Sequence, residues 1–197
     1  KRMARLIDDL LSLSRVEADE HIVPSEMVPL MEVVHSVIHS LEDRAWRREM
    51  RIDFVDDRSA GSANVFMYGY ADEINEVFHN LIENAIKYGS EKTSIIVHVN
   101  AQRNDHVIIS VTNLGDQIAE KHLSRLTERF YRVDKARSRQ IGGTGLGLAI
   151  VKHIVNRHRG MLSVKSLPEG RTTFTVELPI IIGSARQNAS TRQDASS

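Results

Sequence analysis

The chain has no cysteine, which excludes disulfides and thiolate-ligated metal centres from its chemistry. It also has no net charge: 26 Lys and Arg stand against 26 Asp and Glu in 197 residues. Nothing in that balance points to nucleic acid or to an acidic membrane surface. No apolar run approaches the ~20 residues that cross a bilayer, no signal peptide is legible, and no internal repeat is visible. What is present is 41% hydrophobic residues, enough for one core with an appended helix.

Glycine is sparse overall but crowded in one place, Gly142-Gly143-Thr144-Gly145-Leu146-Gly147, and an amphipathic helical run from Leu148 to His158 follows at once. Glycine lets a ligand approach main-chain N–H groups, and a helix start adds unpaired donors and a positive dipole end. The combination reads as a phosphate site. It is not a P-loop, because Leu148-Ala149 stands where Lys and Ser or Thr are needed. Nor is it a dinucleotide fingerprint, since Leu148 takes the third glycine's place and the loop lies late in the chain. Just upstream, Glu128-Arg129-Phe130-Tyr131-Arg132-Val133-Asp134 leads into a stretch carrying Lys135, Arg137 and Arg139. An aromatic pair followed by cations suits a loop anchored at one end over an anion. By itself such a charge run is more often a solvated surface.

A third element lies around Asn80. Ile74, Val77, Phe78, Leu81, Ala85 and Ile86 recur at helical spacing, while Asn80, Asn84, Lys87 and Tyr88 share another face. Asparagine is a mediocre helix former, so two of them one turn apart suggest that their amides are needed. An Asn carbonyl suits Mg2+ whose other ligands are phosphates and water. Lys87 can meet phosphate as a point charge.

Asn80–Tyr88, Glu128–Asp134 and Gly142–Val151 resemble, in order and spacing, the N, F and G2 boxes of bacterial sensor histidine kinases. The wording around 127–139 is most similar to the phosphate-regulon sensors. The resemblance implies an α+β, two-layer sandwich of the GHKL type shared with gyrase, Hsp90 and MutL, preceded by one helix of a dimerisation hairpin. It implies that ATP and Mg2+ are bound, with Asn84 on the metal and Asn80, Lys87 and Tyr88 along the phosphates. Residues 132–143 would form the ATP lid, with Tyr131 and Arg132 at its base and Phe130 anchoring it to the core. Gly143, Thr144, Gly145, Leu146, Gly147 and Leu148 would close on the nucleotide, and Thr173 would help bind adenine. The adenine box departs from the family's Asp-x-Gly-x-Gly: here Asn113, Gly115, Gln117 and Ile118 occupy it, and Asp116 is out of register to replace the Asp. Asn113 still accepts a hydrogen bond, without charge assistance.

The same resemblance divides the chain. Residues 1–19 would be the second hairpin helix, 20–29 a linker, 30–182 the ATP-binding domain and 183–197 a disordered tail. None of the nine His residues sits in the phosphoacceptor context, so no catalytic residue is assigned and the chain reads as a fragment unable to autophosphorylate alone. Its implied partners are a response regulator and its own dimerisation domain. The implied setting is the cytoplasmic side of an inner-membrane sensor, with any membrane contact through an N-terminal part outside this chain. His79 is expected to be a packing or surface residue, and Glu83 to form a surface ion pair with Lys87. Two other readings are a nucleotide-free regulatory module with a degenerate adenine site and another GHKL ATPase.

Overall fold

A computed structural model describes residues 2–18, 22–58, 65–103, 105–134 and 143–182. The expected tail at 183–197 and the lid segment 135–142 lie outside the described residues.

Apolar residues at helical spacing form the helices α1 (Arg2–Ala18), α2 (Leu30–Trp46) and α3 (Ala71–Tyr88). A single turn, α4 (Glu120–Leu123), and then α5 (Gly147–Arg157) follow. On α2 the buried stripe is Leu30, Val34, Val37, Leu41 and Ala45, and on α3 it runs through Ile74, Phe78, Leu81 and Ala85. After α4 the chain continues in turns through Leu126.

The main sheet contains β2 (Arg51–Asp56), β4 (Ser94–Arg103), β5 (His106–Leu114), β6 (Met161–Ser166) and β7 (Arg171–Pro179). Its spatial order is β2-β4-β5-β7-β6, with β2 parallel to β4 and every other pair antiparallel. Period-two alternation decides which face is buried. Val107, Ile109 and Val111 of β5 and Phe174, Val176 and Leu178 of β7 point into the core, under α2, α3 and α5. Sheet and helices form the expected two-layer α/β sandwich.

A second, small sheet joins β1 (Glu26–Pro29), β3 (Val65–Gly69) and β8 (Ile181–Ile182). Residues 20–29 were expected to be linker, but Glu26–Pro29 pairs antiparallel with β3, Glu26 opposite Gly69 and Pro29 opposite Phe66. The pairing partner lies far along the chain, so no local pattern signals it. Among the described residues no helix is long and apolar enough to cross a membrane.

Helix α1 lies against the body. Leu13 and Val16 are buried, and α1 packs along α5. Ser12 Oγ donates to both carboxylate oxygens of Glu76 at 2.7 and 2.6 Å, and Glu17 pairs with Arg129.

Candidate functional site

A cavity of ≈ 530 Å³ opens between α3, the start of α5 and the ends of β5 and β7, a volume suited to a small-molecule cofactor. Each wall follows from a local feature of the sequence. Asn80, Asn84 and Lys87 turn one face of α3 into the cavity, away from the fully buried Ile74, Phe78 and Leu81. Asn80 Nδ2 donates to the Glu76 carbonyl at 3.0 Å, and its Oδ1 lies beside Gly147. A Cβ on Gly147 would stand 2.6 Å from that oxygen, so only glycine lets the start of α5 approach the Asn80 amide.

The glycine loop is held from two sides. Gly145 has φ +79°, and its carbonyl accepts the Phe130 N–H at 2.9 Å. Phe130 itself has φ +62° and its ring is 55% exposed. The expectation that this ring anchors the lid to the core is therefore corrected. The backbone bond to Gly145 ties the two segments, and the aromatic contact comes from Tyr131, whose hydroxyl meets His122 Nδ1 at 2.5 Å beneath the Arg125 guanidinium. On the other side, Thr144 Oγ1 donates to Asp9 Oδ2 of α1 at 2.5 Å and accepts the Leu146 N–H at 3.3 Å.

At the far end the buried face of the sheet turns polar. Asn113 ends the inward series on β5 and Thr172 begins it on β7, and the two stand directly opposite each other. Both line the cavity, and both are nearly buried, at 6% and 4% exposure. Thr173, expected here, is on the opposite face, where its hydroxyl meets that of Thr112 at 2.9 Å. A one-residue step in a strand reverses the face, so the expectation passes to Thr172.

Two further expectations change. Leu146 is fully buried in the core rather than in the cavity wall. Gly115 is also absent from the wall: its N–H donates to the Gly170 carbonyl at 2.9 Å, and a Cβ there would lie 2.5 Å from the Tyr88 carbonyl. It serves the crossing of three backbone segments. The other expected residues, Tyr88, Ile118, Tyr131, Arg132, Gly143, Thr144, Gly145 and Leu148 among them, do line the cavity.

The wall also holds residues that sequence reasoning passed over or set aside. Asp9 and Arg44 come from α1 and α2, outside the motifs, and no local signal marks them. His79 and Asp116, read as a packing or surface residue and as out of register, both face the cavity. Glu76 joins them, and burial pushes its carboxyl above the usual range although the Ser12 hydroxyl opposes the shift. Glu83 pairs with Lys87 at 2.6 Å as expected, yet at 7% exposure it is buried, not on the helix surface. Arg132 brings a guanidinium whose Nε and Nη2 are buried with no hydrogen-bond partner among the described residues.

The profile of the histidine kinase-, DNA gyrase B-, and HSP90-like ATPases matches residues 69–182, more than half of the chain. The chain belongs to this ATPase family. The phosphate regulon sensor protein PhoR of Pseudomonas aeruginosa is 36% identical over 190 residues, covering 95% of this chain and 41% of that protein. The sensor histidine kinase WalK of Bacillus subtilis is 33% identical, covering 91% of this chain and 29% of its own length. CusS of Escherichia coli K12, also a sensor histidine kinase, is 36% identical and covers 90% and 35%. Within the ATPase family the chain thus groups with the bacterial sensor histidine kinases, and it spans less than half the length of each of these three. The fold is also that of solved structures. Full-length ShkA in complex with AMPPNP matches with a TM-score of 0.78 at 22% identity, over 93% of this chain and 37% of that one. The nucleotide-free catalytic domain of the histidine kinase ThkA matches at 0.66 and 24%, over 78% and 94%.

Proposed function

We propose that the cavity binds ATP with Mg2+ and that the chain is the catalytic ATP-binding domain of a sensor histidine kinase. The observation that carries this reading is the Arg132 guanidinium, whose buried Nε and Nη2 have no hydrogen-bond partner among the described residues, in a cavity also lined by Lys87 and the glycine loop. Buried donors without acceptors are costly, and a polyphosphate supplies acceptors of the matching charge. The Asn113–Thr172 pair offers one amide and one hydroxyl to a base edge at the other end. Asn84 fits Mg2+, because a neutral amide oxygen suits an ion whose remaining ligands are phosphate oxygens and water. When bound, that ion neutralises phosphate charge.

In the full protein the γ-phosphoryl group would pass to a His nitrogen on a separate helix, forming a P–N bond as the bond to the β-phosphate oxygen breaks and ADP leaves. The phosphoryl group would then be relayed to a response regulator. Helix α1 would be the second helix of the dimerisation hairpin, and the domain would work on the cytoplasmic side of a membrane-anchored sensor. The names of the relatives, sensor proteins and sensor histidine kinases, support the transfer to a His.

Calorimetric titration with a non-hydrolysable ATP analogue and Mg2+ tests the site. The wild type is expected to bind at micromolar to sub-millimolar concentration, and Asn84→Ala to bind about tenfold more weakly. No binding by the wild type up to millimolar analogue would sink the reading.

A further inference from the structure

Arg44 belongs to none of the three motifs. It stands on α2, yet its side chain lines the cavity and its guanidinium pairs with Glu83 Oε1. The other oxygen of the same carboxylate, Oε2, accepts from Lys87 Nζ at 2.6 Å. A buried carboxylate is thus shared between two cations, one on each oxygen. The side chains of Glu83 and Lys87 are only 9% and 10% exposed, so water screens their interaction weakly, whereas that of Arg44 is 41% exposed and its pair is screened more.

The arithmetic of charge gives this arrangement a consequence. Lys87 and Glu83 alone make a neutral pair, which offers little attraction to a polyphosphate. With Arg44 added, the three groups together carry one positive charge beside the cavity. Arginine suits the task because it keeps its charge at any physiological pH and its planar fork meets a carboxylate well.

We propose that Arg44 is a positioning residue for nucleotide phosphates: by pairing with Glu83 Oε1 it offsets the carboxylate's charge, so that the Lys87–Glu83 pair beside the cavity attracts a phosphate oxygen. This inference rests on the reading of the cavity as an ATP site. It adds to that site a residue from outside its motifs and gives Glu83 an electrostatic role in place of a surface one.

A double-mutant cycle tests it on the full 197-residue chain. The wild type, Arg44→Gln, Glu83→Gln and the double variant are titrated with the Mg2+-loaded ATP analogue and, separately, with AMP. Arg44→Gln is expected to weaken the triphosphate about tenfold and AMP less than about twofold. In the Glu83→Gln background the same change is expected to cost less than about twofold, because no carboxylate remains to be offset. Arg44→Lys, which keeps the charge and guards against a folding defect in Arg44→Gln, is expected to bind within about threefold of the wild type. Three results would overturn the inference alone: Arg44→Gln binding like the wild type, an equal loss in both backgrounds (a direct phosphate contact), or a loss in Arg44→Lys matching that in Arg44→Gln. A wild type that does not bind would overturn the ATP reading and this inference together.

Discussion

Asn113 and Thr172 face each other across neighbouring strands at the point where an apolar row ends, which under the proposed ATP reading puts them where a base would be held. A carboxylate acceptor makes a stronger hydrogen bond than an amide. Asn113→Asp is therefore expected to raise affinity for the ATP analogue severalfold. In the absence of nucleotide it is expected to lower the melting temperature, because a nearly buried carboxylate beside a Thr hydroxyl is undercompensated. Calorimetry and thermal melts on the same samples check both halves, and a melting temperature that rises would contradict the second. Gly147 tests a different contact. Gly147→Ala places a methyl 2.6 Å from Asn80 Oδ1, so the amide must shift. The expected outcome is about a tenfold loss of nucleotide affinity with little change in the melting temperature, since alanine is the better helix former.

Among the elements, the long helices were legible because about five turns of apolar periodicity leave little choice of face. Strand β1 was not. Glu26–Pro29 offers four residues, one of them proline, and becomes a strand only because β3 lies alongside it. Helix α1, expected to belong to a dimerisation hairpin, also packs on this body through Leu13 and Val16 and reaches the glycine loop through Asp9. Leu13→Ala should cost ~2–3 kcal/mol if α1 melts with the rest of the molecule. For a chain of this size that is a fall of roughly 5–10 °C in the main transition by scanning calorimetry. An unchanged main transition would mean that α1 unfolds on its own.

For the whole molecule, His158 links stability to pH. Its side chain is fully buried where α5 meets β3 and α3; Nδ1 donates to the Ile154 carbonyl at 2.8 Å and Nε2 accepts the Tyr70 N–H at 3.3 Å. Both nitrogens are thereby committed to the neutral ring, and burial holds its pKa below the ordinary value. With the folded pKa depressed, the unfolded chain takes up the proton first as pH falls. Stability is therefore flat above about pH 6.5 and declines below it, until the folded pKa is reached. Chemical denaturation between pH 7.5 and 5 should show a decline in the wild type that is shallower in His158→Gln. Equal slopes would show that the proton linkage lies elsewhere, the Glu73 carboxylate 3.7 Å from Nδ1 being the first place to look.

Sequence alone determined the family, the sandwich and most of the cavity wall. Asn80, Asn84, Lys87 and the glycine loop are local patterns whose spacing already puts their side chains on one face or at one helix start. Tertiary structure decided what depends on distant segments meeting. It put Thr172 rather than Thr173 beside Asn113, because strand register, not wording, selects the face. It brought Asp9 and Arg44 to the cavity from helices outside the motifs, and it buried Glu83 between two cations. Periodicity is written along a chain, whereas a charge balance between two helices exists only once their faces are packed together.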